Sequence, residues 1–295
     1  RRRRTMRFTN LALLEKVAPT RQRWWWHAPA ALIAVALIML TIALAGPTAE
    51  QKVPRNRATV MLVIDVSLSM KATDVQPTRL QAAQTAAKQF SDGLTPGINL
   101  GLESFAGSTV TLVSPTTDRQ AVDHGIDNLK LQESTATGEA IFSALQTVST
   151  FAQTVAGGDG PPPARIVLMS DGKQTVPRDL DDPRGGYTAA KEAKKEGIPV
   201  STISFGTEDA SIDIDGTAEP VPVDDESLSE IAKLSGGDFY KAATADQLKQ
   251  VYATLGQQIG YETKEADASK PWLILGTLIA LAGAGAALAI NQRLP

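Results

Sequence analysis

Apolar positions between residues 56 and 262 alternate between short continuous runs and helical spacing. The stretch "ATVMLVID", residues 58–65, has the length and β-branched content of a buried strand, and residues 78–94 place Leu80 and Phe90 on one helical face. Further strands are predicted at 98–107, 108–116, 165–170, 198–206 and 238–242, and further helices at 118–129, 138–152, 187–197, 225–237 and 245–260.

This alternation predicts an α/β domain over residues 56–262: a doubly wound, mostly parallel sheet with helices on both faces. Two adjacent strand patterns at 98–116 are joined by a glycine-containing turn, so they predict a hairpin and one antiparallel edge strand. Residues 208–226 interrupt the pattern, and Asp215-Gly216 predicts the turn of a small additional hairpin there.

Two segments, 28–46 and 271–290, each hold about 20 residues without a charge, which is enough to cross a hydrocarbon core of ~30 Å. A buried core helix is the alternative, but uncharged runs of this length favour a transmembrane helix. In the second segment Gly276, Ala280 and Ala284 form a stripe of small residues that predicts a helix-packing face.

Basic residues concentrate before the first apolar segment. The positive-inside rule therefore predicts a cytoplasmic segment at 1–27, a cytoplasmic tail at 291–295 and an extracytoplasmic domain in a multi-pass protein of the cell membrane. Because the chain opens on arginine rather than methionine, we expect it to be truncated, with room for a further span upstream.

Composition excludes several kinds of site. The net charge of -3 is mildly acidic, so composition argues against a nucleic-acid partner. The chain has no cysteine and only two histidines, so thiol chemistry and cysteine- or histidine-rich zinc sites are excluded.

Acidic and hydroxyl side chains follow the predicted strands instead. Asp65 and Asp171 end two strands that are neighbours across the switch point of a doubly wound sheet, so two carboxylates converge where ligands bind. Ser67 and Ser69 follow Asp65 at alternate positions in a tight loop. A divalent cation would relieve the carboxylate repulsion, and an all-oxygen donor set favours Mg²⁺, Mn²⁺ or Ca²⁺.

The motif "DVSLS" resembles the Asp-x-Ser-x-Ser signature of the metal-ion-dependent adhesion site in von Willebrand factor type A domains. That family also has a threonine before a mid-domain helix, which Thr135 matches, and an aspartate ending the fourth strand, which Asp171 matches. The resemblance implies a Rossmann-like fold and metal ligation by Asp65, Ser67, Ser69, Thr135 and Asp171. It further implies that a partner protein binds the cation through a carboxylate.

The chain also resembles bacterial members of the family that are anchored in membranes, including a family of mycobacterial membrane proteins. Many bacterial relatives are associated with MoxR-type AAA+ ATPases, so the resemblance implies a functional link of that kind. An extracytoplasmic domain would not touch a cytoplasmic ATPase directly.

Two alternatives accompany this interpretation. Aspartate and serine after a strand are also common turn residues. Asp74 either supports the site or caps a turn, and capping a turn is the preferred role. A metal-assisted phosphohydrolase with Asp65 as nucleophile is the alternative function, but such haloacid-dehalogenase-like enzymes need a second aspartate where Ser67 stands. We therefore expect a binding module rather than an enzyme.

Overall fold

The computed structural model describes residues 26–54, 58–155, 162–214 and 217–291. Most of the predicted cytoplasmic segment 1–27 and of the tail 291–295 lies outside these described residues. The chain forms two compact units, one over Lys52–Glu262 and one that combines Arg1–Gln51 with Thr263–Pro295. Each unit is described separately below.

The strands and helices follow one another in the predicted alternation. The strands are β1 (Thr48–Pro54), β2 (Ala58–Asp65), β3 (Ile98–Phe105), β4 (Thr109–Thr116), β5 (Ala164–Ser170), β6 (Val200–Phe205), β7 (Ser211–Ile214), β8 (Thr217–Pro220), β9 (Phe239–Ala242) and β10 (Tyr261–Asp267). The helices are α1 (Ala28–Leu44), α2 (Arg79–Gly93), α3 (Arg119–Asp127), α4 (Thr137–Val155), α5 (Gly186–Lys195), α6 (Asp225–Ser235), α7 (Ala245–Gly260) and α8 (Ser269–Asn291).

A six-stranded sheet in the order β4-β3-β2-β5-β6-β9 forms the centre of the larger unit. All neighbouring pairs are parallel except β3–β4, which is antiparallel and places β4 at the edge. The predicted fold class, a mostly parallel α/β sheet with one antiparallel edge strand, is confirmed. Strand β2 lies where the strand order reverses, because β3 and β4 extend to one side of it and β5, β6 and β9 to the other.

Helices cover both faces of this sheet, which explains why β2 reads as a continuous apolar run. Val60 and Leu62 pack into the core shared with α2, α3 and α7, whereas Met61 and Val63 pack into the core shared with α4, α5 and α6. All eight residues of β2 are buried. Burial of each such aliphatic side chain contributes roughly 1.5–3 kcal/mol, so β2 is firmly fixed and its end is a rigid platform.

The predicted additional hairpin is confirmed between β6 and α6. Strands β7 and β8 pair antiparallel, and Ile214 lies opposite Thr217. The predicted turn residues, Asp215 and Gly216, lie outside the described residues.

In the terminal unit, α1 packs along α8. A Cβ added at Gly276 would lie 3.0 Å from Leu40 Cγ, and one added at Gly283 would lie 3.1 Å from Ile33 Cγ1. These close contacts favour small residues, as the predicted stripe implied. The stripe differs in one position: Gly283 faces α1, whereas the predicted Ala284 is exposed. Strands β1 and β10 form a two-stranded sheet that the sequence patterns did not predict.

Within the described part of the chain, one helix is long and apolar enough to cross a membrane. It covers Ser269–Ala289 of α8, with a mean hydropathy of 2.0. Helix α1 is apolar but has only 17 residues and ends at Leu44, just before Gly46, which has a φ of 64°. At 1.5 Å per residue α1 is about 26 Å long, so the prediction of two transmembrane helices is not confirmed.

Candidate metal centre

The site begins at the ends of β2 and β5, which are adjacent and parallel. Ile64 lies opposite Met169, so Asp65 and Asp171 follow at the same edge of the sheet. Both aspartates are fully buried, at 0% exposure. The predicted convergence of two carboxylates at the switch point is therefore a feature of the structure.

Asp65 is fixed by hydrogen bonds to both of its carboxylate oxygens. The backbone N–H of Ser67 donates to Oδ1 at 2.8 Å, and the hydroxyl of Ser170 donates to Oδ2 at 2.5 Å. Ser170 is the last residue of β5, so this bond also joins the two strand ends. The sequence analysis did not identify Ser170, although its position directly before Asp171 was visible.

Ser67 and Ser69 connect the two carboxylates. A 3₁₀ helix at Leu68–Lys71 follows Ser67 and returns Ser69 toward β5, anchored by the buried side chain of Met70. The two serine hydroxyls lie 2.9 Å apart, and Ser69 Oγ donates to Asp171 Oδ1 at 2.7 Å. Four of the five predicted ligands thus lie in one continuous hydrogen-bonded cluster.

Thr135, the fifth predicted ligand, is 5% exposed and lies in the loop before α4. Its carbonyl accepts from the N–H groups of Thr175 and Val176 at 2.8 and 3.1 Å, which holds this loop against the segment after β5. The same loop is tied to the segment after β2, because the N–H of Gln132 donates to Val66 O at 2.8 Å. Among the described residues, Thr135 Oγ1 makes no hydrogen bond to the other four side chains, so Thr135 adjoins the cluster without joining it.

Gln174 holds the walls of the site together and was not predicted. It is 5% exposed, and its Oε1 accepts from the N–H groups of Gly138 and Gly186, both at 3.1 Å. These two groups belong to the first turns of α4 and α5, so a single side-chain oxygen satisfies donors at both helix starts. A Cβ at Gly138 would lie 2.1 Å from Arg184 O, so this close approach requires glycine.

Arg79 is the second unpredicted member. It is fully buried, and its Nη1 donates to Asp171 Oδ2 at 2.7 Å. Its Nε and Nη2 bind the two carboxylate oxygens of Asp74, each at 2.8 Å. The preferred role of Asp74 as a turn cap is therefore wrong: its carboxylate forms a bidentate pair with a buried guanidinium, which is stronger than a turn contact.

The electrostatics disfavour having all the carboxylates of the site ionised at once. Burial and the neighbouring Asp171 raise the pKa of Asp65 to about 7, against the hydrogen bonds from Ser170 and Ser67. Burial also raises the pKa of Asp171, although Arg79 opposes this. The guanidinium of Arg79 pairs with Asp74 and Asp171, and with Asp65 these three carboxylates leave a balance of -2 when all are ionised. A divalent cation would bring that balance to zero.

The donor set suits a hard cation. The described residues contain no group of three or more histidine, cysteine or acidic side chains able to hold a metal ion. The available donors are instead two carboxylates and three hydroxyls, and oxygen donors of this kind are preferred by Mg²⁺, Mn²⁺ and Ca²⁺ over Zn²⁺ or Cu²⁺. The residues present therefore fit the predicted cation.

Comparisons with known proteins agree with this architecture. The sequence profile of the von Willebrand factor type A domain matches residues 60–174, which include all five predicted ligands. A "UPF0353 protein" of Mycobacterium bovis is 58% identical over 295 residues, covering 100% of this chain and 88% of that protein. The chain belongs to the UPF0353 family. A "UPF0353 protein" of Mycobacterium tuberculosis is 57% identical over the same span.

Solved structures show where else this fold occurs. The "conserved hypothetical protein BatB" of Bacteroides thetaiotaomicron has a TM-score of 0.58 at 24% identity, covering 68% of this chain and 98% of that one. An "aerotolerance-related membrane protein" of Bacteroides fragilis has a TM-score of 0.56 at 25% identity, with the same coverage. Proximal thread matrix protein 1 from the mussel byssus, described "with zinc occupied MIDAS motif", has a TM-score of 0.51 at 17% identity, covering 78% of this chain and 52% of that one.

This UPF0353 protein therefore carries a von Willebrand factor type A domain, and the predicted family is confirmed. Such domains are typically protein-interaction modules. The similarity to the aerotolerance-related membrane protein, and the one long apolar helix found among the described residues, α8, suggest that the chain is associated with a membrane.

Proposed function

We propose that this UPF0353 protein is a membrane-anchored module that binds a protein partner through a divalent cation at Asp65, Ser67, Ser69, Thr135 and Asp171. The observation that carries the proposal is the largely buried cluster in which Asp65, Ser67, Ser69 and Asp171 are already joined by hydrogen bonds of 2.7–2.9 Å. The excess negative charge that the ionised carboxylates would leave supports a cation, and Mg²⁺ or Mn²⁺ is the expected one.

Each residue has a defined task in this proposal. Ser67 and Ser69 supply neutral oxygens, and Asp65 supplies a carboxylate held in place by Ser170. Thr135 supplies a third hydroxyl from a loop fixed to both neighbouring segments. The bound cation would supply positive charge that a partner's aspartate or glutamate carboxylate can share, since three of the five side-chain donors carry no charge of their own.

The partner is therefore expected to be a protein with an accessible acidic side chain. Proximal thread matrix protein 1 is described with zinc at its MIDAS motif, which supports divalent-cation binding, though not the choice of Mg²⁺ or Mn²⁺, by the corresponding residues here. A functional link to a MoxR-type ATPase stays a proposal, because it depends only on the resemblance to bacterial relatives.

Membrane anchoring is proposed through α8, with α1 packed against it as a second, shorter crossing. The basic residues before α1 support a cytoplasmic N-terminal segment and an extracytoplasmic domain. With this orientation any ATPase in the cytoplasm would act through a further membrane component.

A partner-retention experiment tests the proposed function. The purified full-length chain is immobilised and exposed to envelope extract with Mg²⁺ or with a chelator. We expect a protein that is retained only with Mg²⁺ and is lost with Ser67→Ala. Thr73→Ala removes a hydroxyl from an exposed residue in the same loop and is the matched control, so it should retain the partner. Retention that ignores both the chelator and Ser67→Ala would contradict the proposal.

A phosphatase assay separates the alternative function. The position where the haloacid-dehalogenase-like mechanism needs a proton donor is Ser67, whose hydroxyl is not acidic enough for that role. We expect no hydrolysis of a phosphate ester in the presence of Mg²⁺. Hydrolysis that disappears in Asp65→Asn would favour the enzyme instead.

A further inference from the structure

Arg79 connects the candidate metal centre to the base of the β7–β8 hairpin. Besides its bond to Asp171, the guanidinium lies 3.4 Å from the carbonyl oxygens of Thr207 and Val221. Thr207 precedes β7 and Val221 follows β8, so one side chain contacts both ends of the hairpin. We call Thr207, Ala210 and Val221 the hairpin root; the N–H of Val221 donates to Ala210 O at 2.8 Å and closes it.

Asp74 provides a second connection to the same root. Its Oδ2 accepts from the N–H of Thr207 at 2.8 Å and from the Thr207 hydroxyl at 2.9 Å. The same carboxylate binds Arg79 through both oxygens. The side chain of Asp74 is 12% exposed, although its bonds to Thr207 lie at the surface.

The guanidinium has little room to move independently of these contacts. A Cβ at Gly206 would lie 2.5 Å from Arg79 Cζ, so the planar group lies directly against the backbone that leads into Thr207. Gly206 has a φ of 131°, a conformation that favours glycine. The donors of a guanidinium have fixed relative directions. A change in the hydrogen bond between Arg79 and Asp171 therefore also changes the contacts of Arg79 with Asp74 and with the root.

We propose that Arg79 is a positioning residue that couples occupancy of the metal centre to the hairpin root. The inference rests on the proposed function, and it adds to it a second element that responds to the cation. A cation at Asp171 competes with Arg79 for the same carboxylate. When the cation is bound, the guanidinium therefore interacts more strongly with Asp74 and with the two root carbonyl oxygens. The root is then held more tightly when the cation is bound.

Thermodynamic linkage makes the coupling reciprocal. If the cation tightens the root, removing a root contact that is stronger in the cation-bound state must lower the affinity for the cation. Thr207→Val removes one hydroxyl donor from Asp74 and keeps the N–H, so it weakens the root from outside the metal centre. Thr217→Val makes the same chemical change on the exposed strand β8 and is the matched control.

The test combines calorimetry with hydrogen exchange on the full-length chain in detergent. Mg²⁺ should slow exchange of peptides containing the N–H groups of Thr207 and Val221 by about five-fold or more, the usual lower range for coupled sites. Arg79→Lys keeps a charge but cannot bind both aspartates in the same geometry, so this slowing should disappear. Thr207→Val should lower Mg²⁺ affinity several-fold, whereas Thr217→Val should leave it unchanged.

The outcomes distinguish this inference from the proposed function. If the wild type binds Mg²⁺ but exchange at the root is unchanged, or if Thr207→Val binds Mg²⁺ like the wild type, the coupling is refuted and the metal centre stands. If the wild type binds no Mg²⁺, both are refuted. Should Arg79→Lys fail to fold, the comparison of wild type, Thr207→Val and Thr217→Val decides alone.

Discussion

We expect Glu103 to give the larger unit an unusual dependence of stability on pH. This side chain on β3 is fully buried; its Oε2 accepts from Ser143 at 2.9 Å and Thr111 at 3.3 Å. Its Oε1 has no partner among the described residues. Burial raises the pKa of Glu103 from its ordinary value of 4.5 to about 7, because these two hydrogen bonds do not offset the lost hydration.

The sign of the effect follows from where the proton is bound. Below pH 4.5 the carboxyl is neutral in both the folded and the unfolded chain, so it has no differential effect. Between pH 4.5 and about 7 the folded state holds the proton more tightly, so stability falls as the pH rises. At about 1.4 kcal/mol per pH unit, the loss approaches about 3.5 kcal/mol above pH 7.

Glu103→Gln removes the titration while keeping the shape of the side chain. We expect the free energy of unfolding of the variant, relative to wild type, to be about 3 kcal/mol higher at pH 8 than at pH 4. The measurement is urea unfolding of the domain at residues 52–262, followed by circular dichroism without metal. Asp65 titrates in wild type and variant alike, so its contribution cancels in the difference.

Ser143→Ala is the companion variant, because it removes a donor that favours the ionised carboxylate. It should cost more stability at pH 8 than at pH 4, the opposite trend to Glu103→Gln. A difference between Glu103→Gln and wild type that stays constant from pH 4 to pH 8 would refute the reasoning about burial.

Three further predictions concern the fold, the metal centre and the topology. Gly138→Ala should destabilise the domain by about 2 kcal/mol or more, because the added Cβ would lie 2.1 Å from Arg184 O. Gly93→Ala is the control and should be tolerated, because a Cβ at Gly93 meets open space. Thermal unfolding of both variants tests the difference. Chelator and Ser67→Ala should both reduce partner retention through loss of the bound cation, so the effect of the two together should not exceed that of either alone. Additive losses would show that the partner uses another surface. Lys194 is an exposed residue of α5, and the variant Lys194→Cys should react with an impermeant thiol reagent in intact cells. Reaction only after cell lysis would reverse the proposed orientation.

Local patterns were enough to predict the fold class and the neighbourhood of the site. Asp65 and Asp171 each end a run of apolar residues, and the rule that ligands lie beyond the carboxyl ends of parallel strands places both at one edge. The family motif added Thr135, whose loop the structure places beside the cluster without a hydrogen bond to it. Strand and helix positions followed from apolar periodicity, since most of these elements bury a defined face.

The residues that complete the site could not be predicted, because their roles depend on contacts far apart in the chain. Arg79 reaches Asp171 across 92 positions and Val221 across 142, and nothing near Arg79 in the sequence signals either contact. Gln174 is a single glutamine in a loop, and its role appears only when two helix starts approach the same oxygen. Strands β1 and β10 pair although the whole larger unit separates them in the sequence, and they lack a pattern of their own.

Direct measurement of cation binding tests the central claim. Isothermal titration of the full-length chain with Mn²⁺ should show one site per chain in the wild type and in Thr73→Ala. Asp65→Ala and Asp171→Ala each remove a carboxylate from the cluster and should abolish that binding. Folded wild-type protein that binds no Mn²⁺ or Mg²⁺, or aspartate variants that bind like the wild type, would contradict the assignment of the metal centre.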